Sequence, residues 1–211
     1  MVQKKPKDAK PEPKRRGRPR AYDPEMALAR AAATFWKAGY AGTSLDDLSE
    51  ATGMNRPSLY AAFGDKRDLY LKTLDHYRGE SRALTAKAVA GDPPLRVFLQ
   101  RFYAGALDLY YVGDDPRGCY TIGTAATVAL VDADVREFLA QSMRNADSFL
   151  KSRIEKARER GEIARDADAT ALAYLATAIL HTLAIRSRAG IPRKQLNALV
   201  DAAINVICAK P

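Results

Sequence analysis

The sequence has little with which to perform covalent or metal chemistry. Its 211 residues include two cysteines, Cys119 and Cys208, and two histidines, His76 and His181. Two thiols give no disulfide framework. Without a Cys-x-x-Cys pair or clustered histidines, the donors for a metal site are missing. No glycine-rich phosphate loop follows a strand pattern, which weighs against nucleotide hydrolysis. No stretch alternates polar and apolar residues with a period of two, and none repeats at solenoid length, so neither a sheet nor a solenoid is expected. The longest uncharged run, Ala169 to Ile185, is rich in Ala and Thr and falls short of the roughly 20 strongly apolar residues a membrane span requires. The amino terminus has no apolar signal-peptide core. These absences lead to the expectation of a soluble, cytoplasmic, non-enzymatic protein with no cofactor, no metal and no membrane partner.

Positive charge, by contrast, is plentiful: the net charge is +9. Its location matters more than its size. Lys4, Lys5, Lys7, Lys10, Lys14, Arg15, Arg16, Arg18 and Arg20, against Asp8 and Glu12, place most of the excess before residue 21. Residues 1–21 have almost nothing to bury and read as a disordered basic arm. The end of the arm, Arg16-Gly17-Arg18-Pro19-Arg20, resembles the core of an AT-hook, whose flanking arginines, here Arg18 and Arg20, enter a narrow A·T-rich minor groove. By composition alone a solvated, solubilising tail fits equally well.

Thr43 to Phe63 reads as two short helices around a tight turn. Ser44 followed three residues later by Asp47 is a capping-box pattern. Leu45, Leu48 and Ala51 then repeat at helical spacing, and Gly53 permits an abrupt exit. Met54 fills the corner. Asn55 caps a second helix with Pro57 in its first turn, where no intrahelical donor is lost. Such a helix-turn-helix presents the second helix's first residues, here Asn55, Arg56, Pro57, Ser58 and Tyr60, to a DNA major groove. Ser44 and Lys66 flank it at helix starts suited to phosphates. Asp23-Pro24 opens a preceding helix that ends before Gly39, with Ala27, Leu28, Ala31, Phe35 and Ala38 inside.

Gly39-Tyr40, Thr43-Ser44, Gly53, Pro57-Ser58-Leu59-Tyr60, Phe63, Lys66 and Leu69 together resemble the DNA-binding domain of the tetracycline-repressor (TetR) family. The resemblance is specific over Tyr22 to Leu74 and loose beyond. It implies an all-α protein of three parts: the basic arm, a helix-turn-helix DNA-binding domain over residues 22–74, and a helical effector-binding and dimerisation domain over residues 75–211. The implied activity is that of a homodimeric repressor on a double-stranded palindromic operator, released by a small-molecule effector.

The rest of the chain carries helical patterning. A long helix runs from Lys66 towards Ala90, where Gly91-Asp92-Pro93-Pro94 ends it. Leu95, Phe98, Phe102 and Leu109, with Leu99, Tyr103, Ala106 and Tyr110 beside them, form a wide apolar face. A loop over residues 113–118 leads to a short apolar segment. Asp132 or Asp134 then caps a helix whose inner positions run from Val135 to Ile154, and which Gly161 closes. The last two helices cover about Asp168 to Ala189 and Pro192 to Cys208.

The family resemblance places an inducer cavity among these helices. Phe98, Phe102, Tyr103, Tyr110, Cys119, Tyr120 and His181 are its candidate lining, apolar walls with few polar handles, suited to a partly aromatic or acyl ligand. The same residues also read as plain core. Cys119 has two readings, a small buried hydrophobe or an accessible thiol that senses oxidants or electrophiles and needs a lowered pKa. Apolar residues on more than one face of the penultimate helix lead to a four-helix dimer interface. Its expected contributors are Leu172, Ala176, Ile179, Leu183, Leu196, Leu199, Ala203 and Ile207. Two rival functions are an architectural A·T-binding protein led by the arm and a small Cys-dependent enzyme.

Overall fold

The computed structural model describes residues 22–113 and 115–209. Arg18, Arg20 and the rest of the expected arm lie outside them. Helix α1, Pro24–Gly42, starts where the Asp23 carboxylate accepts from the Glu25 and Met26 amides, and its path breaks at Gly39, whose φ of 74° leaves one short turn beyond. Helices α2, Leu45–Thr52, and α3, Arg56–Phe63, meet at Gly53 in the left-handed region, φ 68°. Helix α4, Lys66–Val89, opens on a second capping box, Asp65 with Asp68. Each such cap contributes about 1 kcal/mol.

Helix α5, Leu95–Tyr110, runs directly into a two-residue antiparallel hairpin, β1 Tyr111–Val112 with β2 Asp115–Pro116. This hairpin departs from the expected loop, and two-residue strands are too short to leave a periodic signature. Helices α6, Tyr120–Val128, α7, Ala133–Glu159, α8, Ala169–Arg188, and α9, Arg193–Ile207, complete the chain. Asp132 is the cap of α7, its carboxylate accepting from the Asp134 and Val135 amides, and Asp168 caps α8 in the same way.

Two apolar clusters hold these helices. The first gathers Phe35, Leu48, Leu59, Phe63, Leu69, Tyr70 and Leu74 around the short helices. It does not stop at Leu74, because Tyr120, Ala125 and Val128 of α6 and Val135 of α7 close it. The second unites α5 with α7, α8 and α9 through Phe98, Leu99, Tyr103, Leu150, Ile154, Leu183, Leu196 and Ile204. Each fully buried side chain of this size stabilises the fold by about 1.5–3 kcal/mol. Helix α8 is long and apolar enough to cross a membrane by length and composition alone, yet it packs between α7 and α9 and a third of its apolar window is buried. Ala171, Tyr174, Leu175, Ala178 and Ile185 face outward.

Candidate nucleic-acid interface and ligand cavity

The reading head is built by caps. Ser44 Oγ accepts from the Asp47 amide at 3.1 Å and donates to the Asp47 carboxylate at 2.7 Å, while the Ser44 amide donates to that carboxylate. Asn55 Oδ1 accepts from the Ser58 amide at 2.9 Å and fixes the start of α3. Met54 is buried in the corner. The exposed side of α3 carries Arg56, Pro57 and Tyr60, with Ser58 half-buried beside them. Arg56 is engaged in two-pronged fashion by Asp46 of α2, Nη2 to the two carboxylate oxygens at 2.6 and 2.7 Å. Lys66, at the first turn of α4, rests its ammonium over the Tyr40 ring at 4.5 Å, and partial burial pulls its pKa down. Ser44 thus spends its hydroxyl on the cap, and Lys66 lies beside an aromatic ring at a helix N-terminus.

Sequence reasoning passed over the residues that tie this head to the rest. Lys72 Nζ donates to the Phe63 carbonyl at 2.6 Å and holds the end of α3 against α4. Arg67 donates to Asp132 and to Asp134 at the start of α7. Tyr70 and Tyr120 share hydroxyl hydrogen bonds with Thr124 and Thr73, both at 2.7 Å, deep in the first cluster. Burial holds the Tyr70 phenol up at about 12.

Beyond the head, a cavity of about 470 Å³ opens between α4 and α7, with α5, α6 and α8 as its floor. The volume is in the range of pockets that take small organic molecules, about 300–1,000 Å³. Phe102, Leu109, Ile122, Leu139, Phe149 and Leu180 supply apolar wall. At its buried end the Tyr77 hydroxyl donates to Cys119 Sγ at 3.5 Å. Burial pushes the Tyr77 and Tyr110 phenols and the Cys119 thiol up, so all three are neutral at physiological pH. Burial draws His181 down, with Asp147 opposing the shift. Among the described residues no three His, Cys, Asp or Glu side chains cluster as a metal ion would require.

Of the expected lining residues, Phe102, Tyr110, Cys119 and His181 face the cavity. Phe98, Tyr103 and Tyr120 do not, and here the sequence expectation is corrected. Phe98 is sealed between Phe102, Phe149 and the Arg153 guanidinium. Tyr103 turns its hydroxyl to the Ala176 carbonyl at 2.9 Å. Tyr120 packs on Trp36, Tyr70 and Tyr77 in the lower core. The wall contributed by α4, Tyr77, Arg78, Ser81, Arg82 and Thr85, was missed, although its helical spacing was a readable signal.

The expected interface set needs the same correction. Ala176, Leu183, Leu196, Ala203 and Ile207 are buried in the protomer's own core, so they have almost no area left for a partner. Leu172, Ile179 and Leu199 are half-buried against it. The free apolar faces are instead Ala171, Tyr174, Leu175, Ala178 and Ile185 on α8, and Ala202 and Val206 on α9.

A capped helix-turn-helix docked by one long helix onto a helical body with a cavity defines a DNA-binding transcriptional regulator. Residues 27–73 match the family of bacterial regulatory proteins, tetR family, and residues 95–203 match the tetracyclin repressor-like C-terminal domain. The chain is 32% identical over 184 residues to the HTH-type transcriptional repressor ComR of Escherichia coli (strain K12), covering 87% of this chain and 88% of ComR. It is 27% identical to YezE of Bacillus subtilis (strain 168), an HTH-type transcriptional regulator, over 90% of this chain and 99% of YezE. Among solved structures it is similar, at 32% identity and a TM-score of 0.82, to a cysteine mutant of the TetR family transcriptional regulator CifR complexed with 26-bp double-strand operator DNA, covering 92% of this chain and all of that one. The protein belongs to the TetR family.

Proposed function

We propose that this regulator is a homodimeric repressor that holds a palindromic operator and is released when a small molecule occupies the α4–α7 cavity. The observation that carries the reading is that α4 serves both ends. Its second turn packs against α3 through Lys72 and Phe63, and its later turns, from Tyr77 to Thr85, form one wall of the cavity. A ligand that favours one setting of α4 changes the separation of two recognition helices in a dimer. A ligand with equal affinity for both settings shifts nothing.

In this reading Asn55, Arg56, Pro57, Ser58 and Tyr60 face the major groove, and Ser44 and Lys66 approach phosphates. Arg56 arrives already oriented by Asp46. Arg18 and Arg20 of the arm add salt-dependent, largely sequence-independent affinity. The dimer forms through the outward apolar faces of α8 and α9, and the protein works in the cytoplasm, where its DNA is.

The test is a titration of the purified full chain against DNA flanking its own gene and against random DNA, at about 150 mM salt. A preference of roughly a thousandfold or more for one palindromic segment supports specific repression. Tyr60→Ala reduces that preference by about tenfold or more while the dimer persists. Binding without preference that collapses with salt would replace this reading with the architectural one.

A further inference from the structure

The charge on the cavity wall is one-sided. Two guanidinium groups, Arg78 and Arg82, stand among its lining residues, and among the described residues no Asp or Glu does. The two lie one turn apart and so share a face of α4. Arg78 is paired with Asp75 and lies over the Phe138 ring at 5.2 Å. Arg82 is exposed at the open side and forms no ion pair among the described residues. Its unengaged planar fork matches a carboxylate, which accepts two parallel N–H bonds.

We propose that the cavity binds a carboxylic acid with an apolar or aromatic body, its carboxylate on Arg82 and its body against Phe102 and Phe149. This inference rests on the reading of the cavity as the effector site. The opposite end of the cavity is uncharged, lined by the buried Tyr77 and Tyr110 and the half-buried Cys119, so a head group carrying charge is disfavoured there by desolvation. A cationic ligand is disfavoured by both guanidinium groups. A dianionic phosphate would have one of its two charges uncompensated, because Arg78 already has the Asp75 carboxylate. Because both arginines ride on α4, an acid that bridges Arg82 to the α7 side draws on the helix that carries the reading head.

Isothermal titration of the full chain with 4-phenylbutanoate, its primary amide and 4-phenylbutyl phosphate tests the assignment. The acid is expected to bind about tenfold or more tightly than the amide, the loss of one charge-assisted hydrogen-bonded pair. Arg82→Gln is expected to reduce the acid to the amide's affinity, and the acid to weaken operator binding. Equal binding of acid and amide, tighter binding of the phosphate, no binding of the acid, or an acid affinity untouched by R82Q overturns the carboxylate assignment. Ala146→Phe, which fills the cavity, separates the two levels of the reading. If folded A146F binds acid and amide as the parent does, the cavity is not the effector site. If it loses both while the parent fails to distinguish them, the cavity stands and only the carboxylate falls. Ser142→Phe, one turn earlier on the same wall, serves if A146F does not fold.

Discussion

The indole nitrogen of Trp36 in α1 donates to the backbone carbonyl of Arg117 at 2.9 Å, and the Arg117 guanidinium lies 3.9 Å from the centroid of the same ring system. Arg188, the last residue of α8, donates to the carbonyls of both Trp36 and Arg117 at 3.3 and 3.4 Å. The reading head, the hairpin and the end of α8 therefore meet at one point, two residues before the cavity-lining Cys119. Gly118 makes the approach possible. Its φ is 69°, and a Cβ there would lie 2.6 Å from the Ala184 carbonyl oxygen.

Trp36→Phe keeps a ring in the same place and removes only the N–H. The expected cost is about 1 kcal/mol for the bond, with a smaller part from weaker cation–π attraction. For a chain of this size that lowers the melting temperature by about 2–4 °C. Urea denaturation measures the loss directly. A change indistinguishable from zero would mean that Arg188 alone satisfies the Arg117 carbonyl and that the indole tie is idle.

Two ion-paired carboxylates contribute to the acid limb of stability. The Arg67 side chain holds Asp132 below the usual carboxylate range, helped by the Val135 amide. Arg153, Lys156 and Arg160 hold Asp92 far below it. A folded-state pKa below the unfolded value of about 3.9 contributes stability that is present above pH 4 or so and is lost as pH falls through the folded pKa. Asp132→Asn and Asp92→Asn are therefore expected to lower stability at neutral pH and to flatten its decline below about pH 4. Asn suits Asp92 in particular, because the backbone there has φ 48°, a region Asn tolerates better than most side chains. An unchanged acid slope in D92N, followed by circular dichroism, would show that its carboxylate is not among the groups being protonated.

The thiol of Cys119 is buried beside Tyr77, which donates to it, and burial raises its pKa. Reactivity follows the thiolate. Alkylation of Cys119 by iodoacetamide at neutral pH, located by peptide mass mapping so that Cys208 is counted separately, is expected to be about tenfold or more slower in the native protein than in urea. Cys119→Ser is expected to leave operator affinity within about twofold. A native rate matching the unfolded one would restore the sensor reading of this residue.

What was legible in the sequence were the features governed by local chemistry. Asp23-Pro24, Ser44 with Asp47 and Asn55 each act through amides within four residues, so the starts of α1, α2 and α3 could be read directly, and Gly53 marked the end of α2. At α7 the same rule left Asp132 and Asp134 as alternatives, of which Asp132 is the cap, and at α8 the boundary fell near Asp168. The cavity was only half legible. Aromatic residues on α5 announce an apolar face, but whether a ring faces a void, as Phe102 does, or a neighbour's carbonyl, as Tyr103 does, depends on where α8 lies. Arg78 and Arg82 were missed: helical spacing puts them on one face of α4, but it does not show that α7 leaves space in front of them. The long-range ties, Trp36 to Arg117 and Arg67 to Asp132, span 81 and 65 positions and leave no periodic trace.

The same limit explains the interface. Helix α8 is apolar on two sides, and periodicity cannot say which side turns inward; packing against α5 and α7 buries Ala173, Ala176 and Leu183 and leaves Tyr174, Leu175 and Ile185 outside. Ile185 is 60% exposed and Val206 of α9 is 61% exposed, large exposures for aliphatic side chains on a monomer. Small residues at Ala171, Ala178 and Ala202 would allow a second copy's helices to approach closely. The double variant Ile185→Asp with Val206→Asp places one charge on the exposed side of each helix, at positions outside the buried core, so helical content should be retained. Light scattering is expected to report one chain of 23.1 kDa for the variant and two for the parent. Affinity for a palindromic operator should fall by about a hundredfold or more, because each reading head then binds its half-site alone. A variant that remains dimeric would move the interface elsewhere, with exposed Leu130 and Val131 at the α6–α7 corner the next surface to charge.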